Sequence, residues 1–157
     1  MKTTLLILAA CLTAIASSAQ SQTIAIGVGD HTRSISVSAD EPAYKLGPLN
    51  MHPEFGYVQW RVGGDTGYQV YATPTFRYAV TKRFGIDAGV GVSLFSRTTW
   101  GEKNTSTRFQ FADHVGVSYQ ITDTYGVSVR YVHASNAGIK RPNPGVDSVQ
   151  VNLTASF

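Results

Sequence analysis

The sequence contains almost no cysteine, because Cys11 is the only one among its 157 residues. Cys11 lies in a short apolar run, residues 5–16, which follows a lysine and precedes the small residues that end at Ala19. This order predicts a signal peptide over residues 1–19. Residues 8–11 also resemble a lipoprotein lipobox, but they come very early and more apolar residues follow them. After cleavage the chain has no cysteine, which excludes disulfides and a cysteine nucleophile.

The chain is also poor in charge and has no long apolar run. Charged residues make up 15% of it, whereas soluble domains usually carry about a quarter. No segment reaches the roughly 20 apolar residues that a membrane-spanning helix needs. Residues 20–157 hold 16 valines and 8 tyrosines but only 4 leucines, a balance that favours strands over helical bundles. An exported chain of this composition predicts an outer-membrane β-barrel over residues 20–157.

Alternation of apolar and small or polar residues marks the predicted strands. It is clearest over residues 84–95, where every second residue is apolar and the others are mostly glycine, serine or aspartate. Small uncharged groups on the second face suit a narrow barrel lumen. Strands are predicted near residues 22–29, 33–39, 55–62, 68–80, 84–95, 107–121, 125–135 and 146–157. The expected fold is therefore all-β, an eight-stranded antiparallel transmembrane β-barrel.

The connections and the aromatic residues suggest how this barrel is oriented. Tight turns near residues 81–83 and 122–124 are expected on the periplasmic side, and longer loops at 96–106 and 136–145 outside. The proline-rich segment 40–54 is long for a periplasmic turn, and Pro74 predicts a bulge in its strand. A terminal aromatic resembles the signature of barrels inserted by the outer-membrane assembly machinery. Aromatic residues are expected to form a girdle near the periplasmic rim: Tyr78, Phe84, Tyr119, Tyr125 and Phe157.

Candidate chemistry lies near the outer ends of the last two strands. His133 and Ser135 are two residues apart, so they share one face of a strand and can meet as base and nucleophile. Asp147 begins the returning strand beside them and can orient the imidazole. Alternation along each strand places all three residues on the apolar, lipid-facing side, at the level where the run of apolar residues ends. Each alone could simply mark the edge of the membrane band, but three at one level favour a site.

The motif around these residues resembles a known family. The run His133-Ala-Ser135-Asn136-Ala-Gly138, followed by Asn-Pro-Gly and an acid at 147, is similar to the lipid A 3-O-deacylase family of the PagL type. The resemblance implies an outer-membrane esterase that removes the 3-hydroxyacyl chain at position 3 of lipid A. It assigns Ser135 as nucleophile, His133 as base and Asp147 as orienting acid, with Asn136 and Gly138 in the oxyanion hole. The resemblance implies Glu at position 147, where this chain has Asp, so the orienting side chain is one methylene shorter than expected.

The implied substrate agrees with the position of the cluster. Lipid A esters lie at the outer-leaflet interface, near the extracellular face, and Lys140 and Arg141 in the loop above could pair with its phosphates. No metal or other cofactor is expected, because no histidine pair has the spacing of metal ligands. Lipopolysaccharide is the expected partner, nucleic acid is not, and a homodimer is left open. Two rival functions also stay open: a noncatalytic barrel like OmpA or OmpX, and a lipid A palmitoyltransferase.

Overall fold

The computed structural model describes residues 19–157, so nearly all of the predicted signal peptide lies outside the described residues. Within residues 19–157 the chain forms eleven strands: β1 (Ser21–Gly29), β2 (Thr32–Asp40), β3 (Tyr44–Leu46), β4 (Leu49–Val62), β5 (Asp65–Ala79), β6 (Phe84–Phe95), β7 (Thr99–Trp100), β8 (Lys103–Asn104), β9 (Phe109–Gln120), β10 (Tyr125–Ser135) and β11 (Val146–Ser156). No helix in this part of the chain has the length and apolar character needed to cross a membrane.

Eight of the strands close into a barrel. Each long strand pairs antiparallel with its neighbours in the order β2, β1, β11, β10, β9, β6, β5, β4, and a further pairing of β2 with β4 completes the ring. The predicted eight-stranded barrel is confirmed. Its loop end carries the two longest connections, 96–108 and 136–145, together with the two-residue turns 30–31 and 63–64. Its turn end carries the connections 41–48, 80–83 and 121–124. Long loops confined to one end are typical of outer-membrane barrels.

The two faces of the wall follow the alternation in the sequence. Along β6 the outward residues Val90, Val92 and Leu94 are 66%, 47% and 56% exposed. The residues between them point into the lumen and are buried, and Gly91 packs so closely there that a Cβ would collide with the Ala72 carbonyl. The predicted aromatic girdle is exposed as well, and Phe84 pairs with Tyr119 beside the turn end. The wall is therefore apolar outside and filled by small and polar groups inside.

The proline-rich segment before β4 has a different structure from the predicted one. β4 begins at Leu49 rather than near residue 55, and β3 folds back on its start as a small hairpin. Pro53 of β4 faces Pro74 of β5 in the ladder. Alternate pairs of an antiparallel ladder exchange no hydrogen bonds, and two opposed prolines fit such a pair. The prolines therefore do not shorten β4, and the predicted boundary at residue 55 was wrong.

The bulge predicted at Pro74 is also wrong. Ala72 pairs with Val92 and Thr75 pairs with Gly89, so β5 and β6 have the same number of residues between these pairs. The ladder is interrupted at residues 73 and 74 without an inserted residue. A proline lacks the N–H that a ladder bond needs, and the two missing pairings accommodate it without a change of register.

An apolar plug fills the lumen near the loop end and supports the wall behind the candidate site. Trp60, Trp100 and Phe95 are nearly fully buried in it, and the Phe95 and Trp100 rings meet edge to face at 5.4 Å. Ala134 of β10 and Val146 of β11 belong to the same cluster and pair in register. Because these two residues point inward and are held by packing, their neighbours along the strands must point outward.

Deeper in the lumen lies a buried ion-pair network. Arg130 Nη1 donates to both carboxylate oxygens of Glu54, at 3.1 and 3.0 Å. Arg130 Nε lies 2.7 Å from Asp87, which also contacts His114 at 3.4 Å. Burying such charges is costly unless they are paired. The network thus joins β4, β6, β9 and β10 across the barrel.

Candidate active site

The candidate site begins with a direct cross-strand pair. His133 on β10 and Asp147 on β11 are register partners on the outward face. His133 Nδ1 lies 2.6 Å from Asp147 Oδ1, and the two side chains are 34% and 36% exposed. A carboxylate only accepts hydrogen bonds, so Nδ1 carries the hydrogen and Nε2 is left as the basic nitrogen. The shorter aspartate reaches the imidazole because the two strands place the residues opposite each other.

A tyrosine that the sequence analysis did not single out also binds this carboxylate. The Tyr131 hydroxyl donates to Asp147 Oδ1 at 2.6 Å. Tyr131 lies two residues before His133 and therefore on the same face. Asp147 Oδ1 is thus held by two groups from β10, which fixes the carboxylate beside the imidazole.

Ser135 lies at the outer end of β10, on the same face as His133. It is 9% exposed, and its Oγ accepts a hydrogen bond of 3.4 Å from the backbone N–H of Ala137. Within residues 19–157 no hydrogen bond joins Ser135 to His133. Side chains two residues apart on a strand are separated by roughly 6–7 Å at their bases. The strand therefore places His133 and Ser135 as neighbours on one face, and a backbone N–H already binds the serine oxygen.

The loop after Ser135 is organised by Asn136, which is fully buried. Its side-chain amide donates to the carbonyls of Thr105 and Lys140, both at 2.9 Å. Its Oδ1 accepts the Gly138 N–H at 2.9 Å, and its own N–H donates to Asn143 at 3.1 Å. In this arrangement Asn136 and Gly138 use these hydrogens to hold the loop. The oxyanion role assigned to them by the resemblance stays a prediction.

Gly145 makes room for the imidazole. Its φ is +67°, and a Cβ added there would lie 2.7 Å from His133 Cε1. Left-handed backbone of this kind favours glycine. Sequence analysis identified the Asn-Pro-Gly run only as part of the motif, since a contact between Gly145 and the imidazole ring cannot be read from a motif.

The remaining predicted and neighbouring charges lie around this centre. Lys140 and Arg141 are exposed in the loop next to Ser135, as expected for cations that meet a ligand from outside. Asp113 on β9 is the other register partner of His133, and its buried Oδ1 has no hydrogen-bond partner within residues 19–157. The same residues contain no group of three side chains that could hold a metal ion.

This arrangement supports nucleophilic acyl transfer. It provides a serine, a histidine with a defined tautomer and a carboxylate that orients the ring. Ser135 also faces Phe111 across the ladder, and Phe111 meets Phe109 edge to face at 5.4 Å. An apolar outer wall thus adjoins the serine.

Comparisons with known proteins point to one family. Residues 32–156 match the family model described as lipid A 3-O-deacylase (PagL). A protein of Bordetella bronchiseptica named lipid A deacylase PagL is 36% identical over 160 residues, which cover 94% of this chain and 90% of the relative. A protein of the same name from Pseudomonas aeruginosa is 37% identical over 109 residues, 65% of this chain and 62% of the relative.

Solved structures show the same architecture. The crystal structure of the outer membrane enzyme PagL superposes with a TM-score of 0.72 at 26% identity, over 87% of this chain and 99% of that one. The Yersinia pestis outer membrane protein Ail gives a TM-score of 0.54 at 11% identity, over 88% of this chain and 99% of that one, and shares the fold alone. With the family model matching most of the barrel and one relative matching almost the whole chain, this chain belongs to the lipid A 3-O-deacylase (PagL) family.

Proposed function

We propose that the protein hydrolyses the ester that links a 3-hydroxyacyl chain to position 3 of lipid A, with Ser135, His133 and Asp147 as the catalytic group. Membership in a family of lipid A deacylases supports an ester hydrolase of the outer membrane. The observation that carries the mechanism is the 2.6 Å contact between His133 Nδ1 and Asp147. That contact directs the basic Nε2 of His133 away from the carboxylate and leaves it free to act on the neighbouring serine.

The reaction proceeds through an acyl-enzyme. His133 Nε2 takes the proton of Ser135 as its Oγ attacks the ester carbonyl, and the resulting imidazolium is stabilised by Asp147. The tetrahedral adduct collapses, the C–O bond to the sugar breaks, and the imidazolium returns its proton to the sugar oxygen. Water then attacks the acyl-serine with His133 again as base, which releases the 3-hydroxy fatty acid and restores Ser135.

The lipid-facing position of the site suits this substrate. The loop end is the expected extracellular end, where the ester groups of lipid A meet the apolar layer. The released chain would lie along the apolar wall that begins at Phe111, opposite Ser135. Lys140 and Arg141 are exposed above the serine, where cations attract the phosphates of an anionic lipid.

The test is a deacylation assay on purified, folded protein with phosphorylated lipid A in detergent micelles. Mass spectrometry should detect one free 3-hydroxy fatty acid for each lipid A consumed. Ser135→Ala should abolish its release. Ser128→Ala is the matched control, because Ser128 lies on the inward face of the same strand and should keep full activity. Release that persists in Ser135→Ala would contradict the proposed nucleophile, and absence of release from the unaltered protein would contradict the proposed function.

A further inference from the structure

Two arginines oppose each other on the outer wall, far from the candidate active site. Arg33 of β2 and Arg61 of β4 are register partners, and both are exposed. Neither forms an ion pair or a side-chain hydrogen bond within residues 19–157. Like charges directly opposite each other destabilise an antiparallel pair. Two unpaired guanidinium groups at one level therefore form a site that an anion would stabilise.

The surface next to the two arginines is mostly apolar and shaped as a groove. Arg33, Arg61 and the exposed Gln59 line one part of it, and its apolar wall is formed by Ile26, Val28 and Ile35. These three side chains are 67%, 65% and 62% exposed. A ligand that matches the whole surface needs an anionic group at the level of the arginines and an apolar part directly below it.

The groove lies on the other side of the barrel from Ser135. Following the strand order from β10 through β11 and β1, Arg33 on β2 is three strands away and Arg61 on β4 is four strands away in a ring of eight. Lys140 and Arg141, the cations near Ser135, lie in the loop between β10 and β11. A lipid held by the arginine pair therefore cannot present its ester to Ser135.

We propose that this arginine pair and its groove bind the phosphate and acyl chains of a phosphorylated lipid A molecule that is not the substrate undergoing hydrolysis. The guanidinium fork matches phosphate oxygens in a bidentate manner, which a point charge does not. The height of the pair at the extracellular end matches the level of phosphates in the outer leaflet, and the groove below it matches the acyl layer. The bound lipid neutralises the repulsion between the two arginines and covers the apolar wall.

The test counts lipids bound to the whole protein by native mass spectrometry in mild detergent. The probe is bis-phosphorylated lipid A that already lacks the acyl chain at position 3, so binding is measured whether or not Ser135 is catalytic. The double variant Arg33→Gln, Arg61→Gln should bind one lipid fewer per barrel, because its affinity for the lipid at the arginine pair should fall by roughly tenfold or more. The matched control, Lys82→Gln combined with Arg83→Gln, removes two adjacent cations at the turn end and should bind as the unaltered protein does.

Two further arms identify the ligand chemistry. The same lipid without its phosphates should bind the unaltered protein and the double arginine variant equally weakly, and equimolar inorganic phosphate should not displace the intact probe. The deacylation rate of the double arginine variant should stay unchanged. The proposal is overturned if that variant binds the probe as the control does, if phosphate removal has no effect, if inorganic phosphate displaces the lipid, or if deacylation falls together with binding.

Discussion

Replacing Asp147 by alanine should slow deacylation while the barrel still folds. The carboxylate lies 2.6 Å from His133 Nδ1, and in the proposed mechanism it stabilises the charge that the imidazole gains in the transition state. Two unit charges about 4 Å apart interact by about 1 kcal/mol in water and by about 4 kcal/mol at the dielectric typical of a protein surface. The His133 and Asp147 side chains are each about one third exposed, so their interaction energy should lie between these two values. Since about 1.4 kcal/mol corresponds to tenfold in rate, the loss should fall between roughly fivefold and a thousandfold.

Asp147→Glu separates two accounts of the shorter side chain. From the sequence alone, glutamate would be expected to restore reach to His133 and to keep or raise the activity. The structure shows that aspartate already contacts the imidazole, because the two residues are directly opposed. The additional methylene of glutamate must therefore push the carboxylate out of its present hydrogen-bond contact with His133 Nδ1. Asp147→Glu should lower the rate, but by less than Asp147→Ala does.

The assay measures 3-hydroxy fatty acid release by purified variants, with folding checked by heat-modifiable mobility in electrophoresis. Asp123→Ala is the control, since it removes the same charge from the exposed turn between β9 and β10 and should leave the rate unchanged. A folded Asp147→Ala variant whose rate stays within about twofold of the unaltered protein would refute the orienting role, because an interaction of 1 kcal/mol already gives more.

Four further outcomes are expected. Ser135→Ala and His133→Ala should each reduce fatty acid release by orders of magnitude, since no neighbouring group replaces nucleophile or base; residual turnover near the normal rate would exclude that residue. Tyr131→Phe removes one donor to the Asp147 carboxylate and should lower kcat several-fold with KM unchanged, and an altered KM alone would indicate a role in lipid binding. Gly145→Ala should lower kcat in folded protein, because a Cβ would lie 2.7 Å from the imidazole; normal kcat would show that the ring can move without cost. Glu54→Gln removes one partner of a buried ion pair and should destabilise the barrel by about 3 kcal/mol in urea unfolding, whereas an unchanged midpoint would show that the pair adds no stability.

Much of the barrel could be predicted from the sequence, because successive residues of a strand in a narrow barrel face the lipid and the lumen in turn. Apolar residues therefore alternate with small or polar ones along the sequence. Small residues in the lumen and apolar residues outside set the face of every residue, so the parity of β10 and β11 placed His133, Ser135 and Asp147 together on the lipid side. The register pair of His133 and Asp147 then follows from the position of the connecting loop.

What the sequence could not provide depends on contacts that span long separations. The loop after Ser135 is held by a bond from Asn136 to the carbonyl of Thr105, 31 residues earlier, and no local pattern predicts it. The start of β4 was hidden because Pro53 normally argues against a strand interior, and only its pairing with Pro74 makes it compatible with the sheet.

The most direct test of the central claim is mass spectrometry of lipid A from a Gram-negative host that expresses the protein. The account predicts lipid A lighter by one 3-hydroxyacyl group when the unaltered protein is present, and unmodified lipid A when folded Ser135→Ala protein is present at the same level in the outer membrane. An added acyl chain would show an acyltransferase instead, and the same loss of mass with Ser135→Ala would show that the catalytic serine is not Ser135.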